Sequence, residues 1–177
     1  MEPKKLQLVI EPDERLHKKS LPFDFATMNA RALAIAMANV MALHEGIGLA
    51  APQVGLPLRL VIIDEATVAE YDKADTPDEP LFVMINPRVL CLSDKEVEAE
   101  EGCLSLPKMF ADVVRPESIE IEYHDINGNV CRRKASGTMA RCIQHELDHL
   151  EGKLFIDHLS PLKRSMIRSK LRKPRKE

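Results

Sequence analysis

The chain has 177 residues, 45% of them hydrophobic and 30% charged, which is typical of one soluble globular domain with a full core. The net charge is only −3, and an aromatic share of 4% with no tryptophan argues against a stacking surface for nucleic acid, so we expect no DNA binding. No stretch approaches the roughly 20 apolar residues of a membrane helix, and the first residues lack the apolar core of a signal peptide, so we expect a cytoplasmic protein without a membrane partner.

The first predicted element is a helix over residues 25–45, because apolar side chains recur there at intervals of three and four residues. Asp24 or Thr27 is available as its N-terminal cap, and Gly46 is placed to end it. Residues 56–64 and 81–90 are predicted as strands from their apolar and β-branched side chains. The polar residues between them, 65–80, are predicted to form an exposed loop.

The next predicted unit is a β-hairpin followed by two helices. Alternation predicts a half-exposed strand over residues 118–124, and Asn127-Gly128 marks a turn into a strand over residues 131–134. A helix follows over residues 138–150, and Ser160-Pro161 opens the last helix. Helices and antiparallel strands thus occur in blocks, which predicts a single-domain α+β fold with mixed or antiparallel sheets around the 138–150 helix.

The charge of the chain is concentrated at its C-terminal end. Residues 163–177 contain eight Lys or Arg against Glu177 alone, a balance of +7. Since the whole chain has 25 basic and 28 acidic residues, the rest carries 17 basic and 27 acidic residues, a net charge of −10. We therefore divide the domain into residues 1–160, which carry the chemistry, and a basic C-terminal helix and tail, 161–177, suited to RNA phosphates.

The motif with the clearest chemistry is H-E-x-x-H, formed by His145, Glu146 and His149. On a helix, histidines four residues apart lie on one face, where both imidazoles reach one cation and the glutamate can address a water beside it. A catalytic site normally takes three protein ligands and keeps one position for water. Cys142 is seven residues from His149, about 10 Å along a helix, so it is predicted to pack beside the site while the third ligand comes from another segment.

Two further short segments have unusual composition. Residues 100–107, EEGCLSLP, present Cys103 after a glycine, which permits a tight bend that could bring a thiolate towards a partner. Residues 46–55, GIGLAAPQVG, combine small residues that permit close approach to a ligand with Gln53, whose amide can donate two hydrogen bonds. Each segment alone is a weak signal, but both occur in the chain that carries H-E-x-x-H.

Taken together, the three segments resemble those of the peptide deformylase family. The family's G-x-G-x-A-A-x-Q, E-G-C-x-S and Q-H-E-x-D-H motifs read here, in order, as residues 46–53, 101–105 and 144–149. The similarity extends to PDERL near the start and to GKLFIDHLSPLKR after the last motif, so it covers nearly the whole chain. Residues 108–110 and 65–80 fit no fixed family pattern, which leaves open the preference for residues after the formyl-methionine.

The resemblance implies hydrolysis of the formyl group from the N-terminal formyl-methionine of newly synthesised polypeptides. The implied metal ligands are Cys103, His145 and His149. Glu146 would carry the proton, while the Gln53 amide and the Leu104 backbone N–H would stabilise the oxyanion. The residues implied for the methionine pocket are Ile47, Gly48, Leu104 and Cys142. The implied working metal is Fe(II), with Zn, Ni or Co as substitutes, and the implied larger partner is the ribosome, bound through the basic C-terminal helix.

Two other functions remain open from the residues alone. An H-E-x-x-H metalloendopeptidase needs a third histidine or glutamate ligand after the helix, for which Glu151 and His158 are the near candidates. Glu151 is too close along the helix to serve, but His158 is not excluded by reach. A ribosome-associated binding module would instead use the basic tail as its functional part and hold a structural metal.

Overall fold

In the computed structural model, residues 6–75 and 77–172 are described. The helices are α1 (Ala30–Leu43), α2 (Glu65–Asp72), α3 (Gly137–Leu150) and α4 (Pro161–Arg172). The strands are β1 (Gly48–Ala50), β2 (Leu60–Asp64), β3 (Leu81–Leu92), β4 (Glu96–Cys103), β5 (Leu106–Pro116), β6 (Ser118–His124) and β7 (Val130–Ser136). Single turns of 3₁₀ helix occupy Glu14–His17, Ala51–Val54 and Phe155–His158.

The strands form two antiparallel sheets, which confirms the α+β class. One sheet has five strands in the order β1-β2-β3-β6-β7, and the other is the β4–β5 hairpin. No helix among the described residues is both long and apolar enough to cross a membrane.

Helix α3 is the central element of the fold. Its apolar side Cys142, Ile143 and Leu150 belongs to a buried cluster that includes Val61 of β2 and Ile121 of β6. The hydrophobic effect therefore holds α3 against the inner face of the five-stranded sheet. The helix also buries polar side chains, of which Gln144 and His145 form hydrogen bonds with Pro116 and Glu101 of the β4–β5 hairpin.

The first residues of the predicted helix over 25–45 do not belong to α1. The helix begins at Ala30 rather than at residue 25, and its cap is Asn29, whose side chain accepts a hydrogen bond from the Ala32 N–H at 3.0 Å. Asp24 instead caps a separate turn, accepting from the Ala26 N–H at 2.9 Å. The expected caps Asp24 and Thr27 were therefore wrong, because a capped local turn precedes the helix.

The segment 65–80 was also predicted incorrectly, since its first half is helix α2. Asp64 caps this helix by accepting from the N–H groups of Ala66 and Thr67. The carboxylate of Asp72, at the other end of α2, then accepts hydrogen bonds from the backbone N–H and hydroxyl of Thr138. Since Ser136, the N-terminal cap position of α3, makes no side-chain hydrogen bond there, α2 supplies the capping group for the central helix.

The predictions for the second half of the chain are confirmed. Strand β6 has the predicted bounds, Asn127-Gly128 lies in the turn before β7, and α3 and α4 begin within one residue of the expected positions. Strands β1, β4 and β5 were not predicted. The basic C-terminal segment is described only to Arg172, so residues 173–177 of the predicted tail lie outside the described part.

Candidate metal centre

Helix α3 places His145 and His149 on its buried side, one turn apart. Their rings are 5.0 Å apart between centroids, at an interplanar angle of 78°. Both side chains are almost completely shielded from solvent. The i, i+4 spacing of the motif thus directs two imidazoles towards the same small volume.

Cys103 approaches these histidines from the end of β4. The register between β4 and β5 shifts between Gly102 and Cys103, so the strand pairing is interrupted at this point. The Cys103 Sγ atom lies 3.4 Å from Nε2 of His149, and one ligand atom from each of the three residues lies within 4.8 Å of the others. Within residues 6–75 and 77–172, this is the one group of His, Cys, Asp or Glu side chains that could hold an ion.

The donor set fits a catalytic transition-metal ion. One thiolate and two imidazoles suit zinc or iron, and three protein ligands leave one position of a tetrahedron for water or substrate. Burial lowers the pKa of His149 far below its usual range, which favours the neutral ring that a metal requires. Burial also opposes protonation of His145, but hydrogen bonds with Cys103 and Glu101 outweigh it and raise its pKa.

Glu146 lies beside the ligands and is only 4% exposed. Its carboxylate packs against Gly48 of β1, where a Cβ atom would lie 2.5 Å from Oε1. Its second oxygen, Oε2, has no hydrogen-bond partner among the described residues. Burial raises the pKa of Glu146 to about 7, so this carboxyl group can both accept and release a proton near neutral pH.

Gln53 is held by hydrogen bonds on both ends of its amide group. Oε1 accepts from the Ala50 N–H at 2.8 Å, while Nε2 donates to Oγ of Ser105 at 3.2 Å and approaches Sγ of Cys103 at 3.5 Å. The fully buried Ser105 was not assigned a role from the sequence, although it lies within the E-G-C-x-S motif. The amide thus points at the cysteine ligand, and its donor groups are already engaged.

A buried ionic network formed by Glu101 and Arg115 contacts the candidate ligand His145. Glu101 is hydrogen-bonded to Nδ1 of His145 at 2.9 Å and accepts two hydrogen bonds from the Arg115 guanidinium. Burial opposes ionisation of Glu101, but the bonds from His145 and Arg115 outweigh it and hold its pKa well below the usual range. Sequence reasoning missed both residues: Glu101 lies in a motif without an assigned role, and Arg115 in a strand gives no signal.

The residues expected to line the methionine pocket do not all lie in one apolar cluster. Ile47 packs against the core cluster that contains Cys142, and Gly48 touches Glu146. Leu104 packs against a second buried apolar cluster, which includes Met37 and Met41 of α1, and its side chain lies beside Gly46. Burial raises the pKa of the Cys142 thiol to about 12, so this residue stays neutral, as expected for packing rather than for metal binding.

The alternative ligands of an endopeptidase do not reach the histidines. His158 is hydrogen-bonded to Asp148 at 2.7 Å through Nε2, and Glu151 forms ion pairs with Arg59 and Lys19. Neither belongs to the group of ligand atoms around His145. The hypothesis of a metalloendopeptidase is therefore not favoured.

Comparison with known proteins gives the same family throughout. The sequence model of the family described as Polypeptide deformylase matches residues 5–165. A peptide deformylase of Rickettsia prowazekii is 46% identical over 168 residues, covering 94% of each chain, and one of Bartonella henselae is 42% identical over 170 residues, covering 96% of this chain and 93% of its own. The crystal structure of peptide deformylase from Ehrlichia chaffeensis in complex with actinonin superposes with a TM-score of 0.85 at 38% identity, covering 94% of this chain and 95% of that one.

Proposed function

The chain belongs to the polypeptide deformylase family, and from this membership we propose how its own residues perform the reaction. It is a metal-dependent hydrolase that removes the formyl group from formylated nascent peptides. The observation that carries the assignment of residues is the convergence of Cys103, His145 and His149 beside the buried carboxylate of Glu146.

We propose that Cys103, His145 and His149 hold the metal. When bound, the ion supplies Lewis acidity, which lowers the pKa of water and polarises a carbonyl group. The donor set is compatible with iron and zinc alike, so the preference for Fe(II) as the working metal, with Zn, Ni or Co as substitutes, rests on the family.

Glu146 is proposed as the residue that moves the proton. Its carboxylate is desolvated, and it lies between the two histidines in α3, so it can take a proton from the attacking water and return it to the departing amine. Packing against Gly48 restricts where the carboxylate can go. Burial raises the pKa of the Glu146 carboxyl group to about 7, which suits both uptake of the proton and its release near neutral pH.

Gln53 and Leu104 are proposed to stabilise the oxyanion of the tetrahedral intermediate. Gln53 Nε2 donates to Cys103 Sγ at 3.5 Å and to Ser105 Oγ at 3.2 Å, and exchange of either bond would let the amide donate to a substrate oxygen. The Leu104 backbone N–H follows Cys103 directly. Ile47, Gly48 and Cys142, with the Leu104 side chain, are proposed to receive the methionine side chain.

Substitution of the cysteine ligand tests the site. We expect Cys103→Ala to lose bound metal and turnover of a formyl-Met peptide, whereas the buried Cys142→Ala should keep its metal. An endopeptidase that used a different third ligand would tolerate Cys103→Ala. Retention of stoichiometric metal by folded Cys103→Ala would therefore overturn the proposed ligand set.

The proposal of iron has its own test, because Fe(II) beside a thiolate is sensitive to oxygen whereas zinc has no redox chemistry. Protein prepared without air should lose activity on exposure to oxygen, and zinc exchange should give a slower but air-stable enzyme. Equal activity and equal air tolerance of the two forms would contradict iron while leaving the deformylase assignment intact.

We further propose that the enzyme works in the cytoplasm and meets nascent chains at the ribosome through the segment 161–177, of which α4 is described. Arg164 and Arg168 are held by Asp157 and Glu11, so they are partly neutralised within the protein. The other basic side chains of α4 are exposed and form no ion pair with another described residue; these are Lys163, Lys170 and Arg172.

The free basic side chains of α4 are therefore the ones to remove. Deleting residues 163–177, or replacing Lys163 and Lys170 by Gln, should weaken ribosome binding in a salt-dependent way and spare hydrolysis of small formyl-peptides. Arg164→Gln is the matched control and should have the smaller effect. Ribosome binding that is unchanged by the deletion, or insensitive to salt, would contradict this role.

A further inference from the structure

Arg115 is a buried arginine that bonds two different elements of the metal centre. It lies in β5 and is 4% exposed. Its Nε and Nη2 groups donate to the two oxygens of Glu101, at 2.6 and 2.9 Å, and its Nη1 group donates to Oδ2 of Asp148 at 2.9 Å. This planar, bidentate geometry is specific to arginine, because a lysine ammonium is a single point charge.

The two carboxylates that Arg115 holds are each next to proposed ligands. Glu101 precedes Cys103 by two residues on β4, and Asp148 directly precedes His149 on α3. Arg115 therefore joins the hairpin that carries the thiolate to the helix that carries both imidazoles.

Glu101 also sets the orientation of one imidazole. An ionised carboxylate can only accept, so Nδ1 of His145 must carry the hydrogen in their 2.9 Å bond, which leaves Nε2 of a neutral ring as the ligand atom. Nδ1 of His149 has no such partner among the described residues. The orientation of His145 is thus fixed by a hydrogen bond, whereas that of His149 depends on the position of its helix turn.

We propose that Arg115 is a positioning residue that locks the β4–β5 hairpin onto α3 through Glu101 and Asp148, and so determines how tightly the centre holds its metal. The inference rests on the ligand set proposed above. Partners that orient metal ligands typically change metal affinity by about 10–100-fold when removed. An arginine that only stabilised the fold would change the unfolding temperature without changing metal affinity.

The test is the zinc affinity of Arg115→Lys, measured by competition with a chelating dye. Lysine keeps the charge but cannot bond both carboxylates in the same geometry, so we expect zinc to bind about 10–100-fold more weakly. The visible spectrum of the cobalt-substituted variant should also differ from that of the original enzyme. The matched control is Arg133→Lys, since Arg133 holds both oxygens of Glu65 in a similar pair outside the metal centre, and its zinc affinity should stay within about twofold.

If Arg115→Lys does not fold, a second variant can test the same positioning role. Asp148→Asn has the same shape but lacks the charge of the second carboxylate that Arg115 holds, and it should weaken zinc binding in the same direction. Zinc affinity within twofold of the original enzyme, in whichever of these variants folds, would overturn the positioning role. If Cys103→Ala kept its zinc, the ligand set itself would be wrong, so the two failures are distinguishable.

Discussion

Replacement of Gly48 by alanine tests whether Glu146 must occupy one position. The added Cβ would lie 2.5 Å from Oε1 of Glu146, closer than Cβ atoms come to their neighbours, and 3.1 Å from its Cδ. Gly48 is paired with Ile63 in the sheet, so its backbone cannot easily retreat. The Glu146 carboxylate is therefore the group that must move, by roughly 1 Å, to reach ordinary van der Waals distance.

The size of the effect follows from this displacement. A misplacement of about 1 Å can lower the rate of a positioned reaction by about 10²-fold, and complete loss of general acid–base catalysis lowers it by about 10²–10⁴-fold. We therefore expect kcat of Gly48→Ala to fall by about 10²-fold, which corresponds to about 2.7 kcal/mol of activation free energy. The extra methyl group should also lower the free energy of unfolding by about 1–3 kcal/mol.

The assay is formate release from a formyl-Met peptide with metal-saturated protein, performed as a double-mutant cycle with Glu146→Gln. If Gly48→Ala acts by displacing the carboxylate, it should lower the rate of the Glu146→Gln enzyme less than about threefold, because the two effects are not additive for residues in contact. A hundredfold loss in both backgrounds, or a folded Gly48→Ala enzyme with more than a third of the original rate, would show that Gly48 does not act by placing the Glu146 carboxylate.

Three further predictions concern proton transfer, the cap of α3 and thiol reactivity. Glu146→Ala should retain its metal but lose about 10²–10⁴-fold in kcat, and a tenth of the original rate by formate assay would reject its role. Asp72→Ala should lower the free energy of unfolding by about 0.5–2 kcal/mol in denaturant titration, while Asp75→Ala should not. With zinc bound, an alkylating reagent should modify the exposed Cys91 and leave Cys142 unmodified by mass spectrometry, because burial raises the Cys142 pKa to about 12.

The parts of the fold that were predictable are those in which local pattern and tertiary packing agree. Strand β6 alternates along its length and is followed by Asn127-Gly128, so both its bounds and its turn could be predicted. Helix α2 buries only Val68 and Ala69, so it lacks the apolar stripe by which a helix is recognised. Strand β4, with the sequence EVEAEEGC, was missed because its exposed glutamates conceal a strand that is paired on one edge only.

The residues that carry the chemistry of the site could be predicted from the sequence more readily than the buried residues that hold them in place. His145 and His149 are four residues apart, so helical periodicity alone predicts that both lie on one face, with Glu146 next to them in the chain. The place of Cys103 came from family resemblance, since no spacing rule connects residues 42 positions apart. Arg115 could not be predicted, because its role depends on contacts with Glu101 and Asp148 that only the folded chain brings together.

The most direct test of the central claim is formate release by protein prepared without air and loaded with iron, using a formyl-Met peptide as substrate. We expect one formate and one free N-terminal methionine amine for each peptide consumed, and loss of both products in Cys103→Ala. Absence of formate from folded, metal-loaded protein, or cleavage of an internal peptide bond in its place, would contradict it.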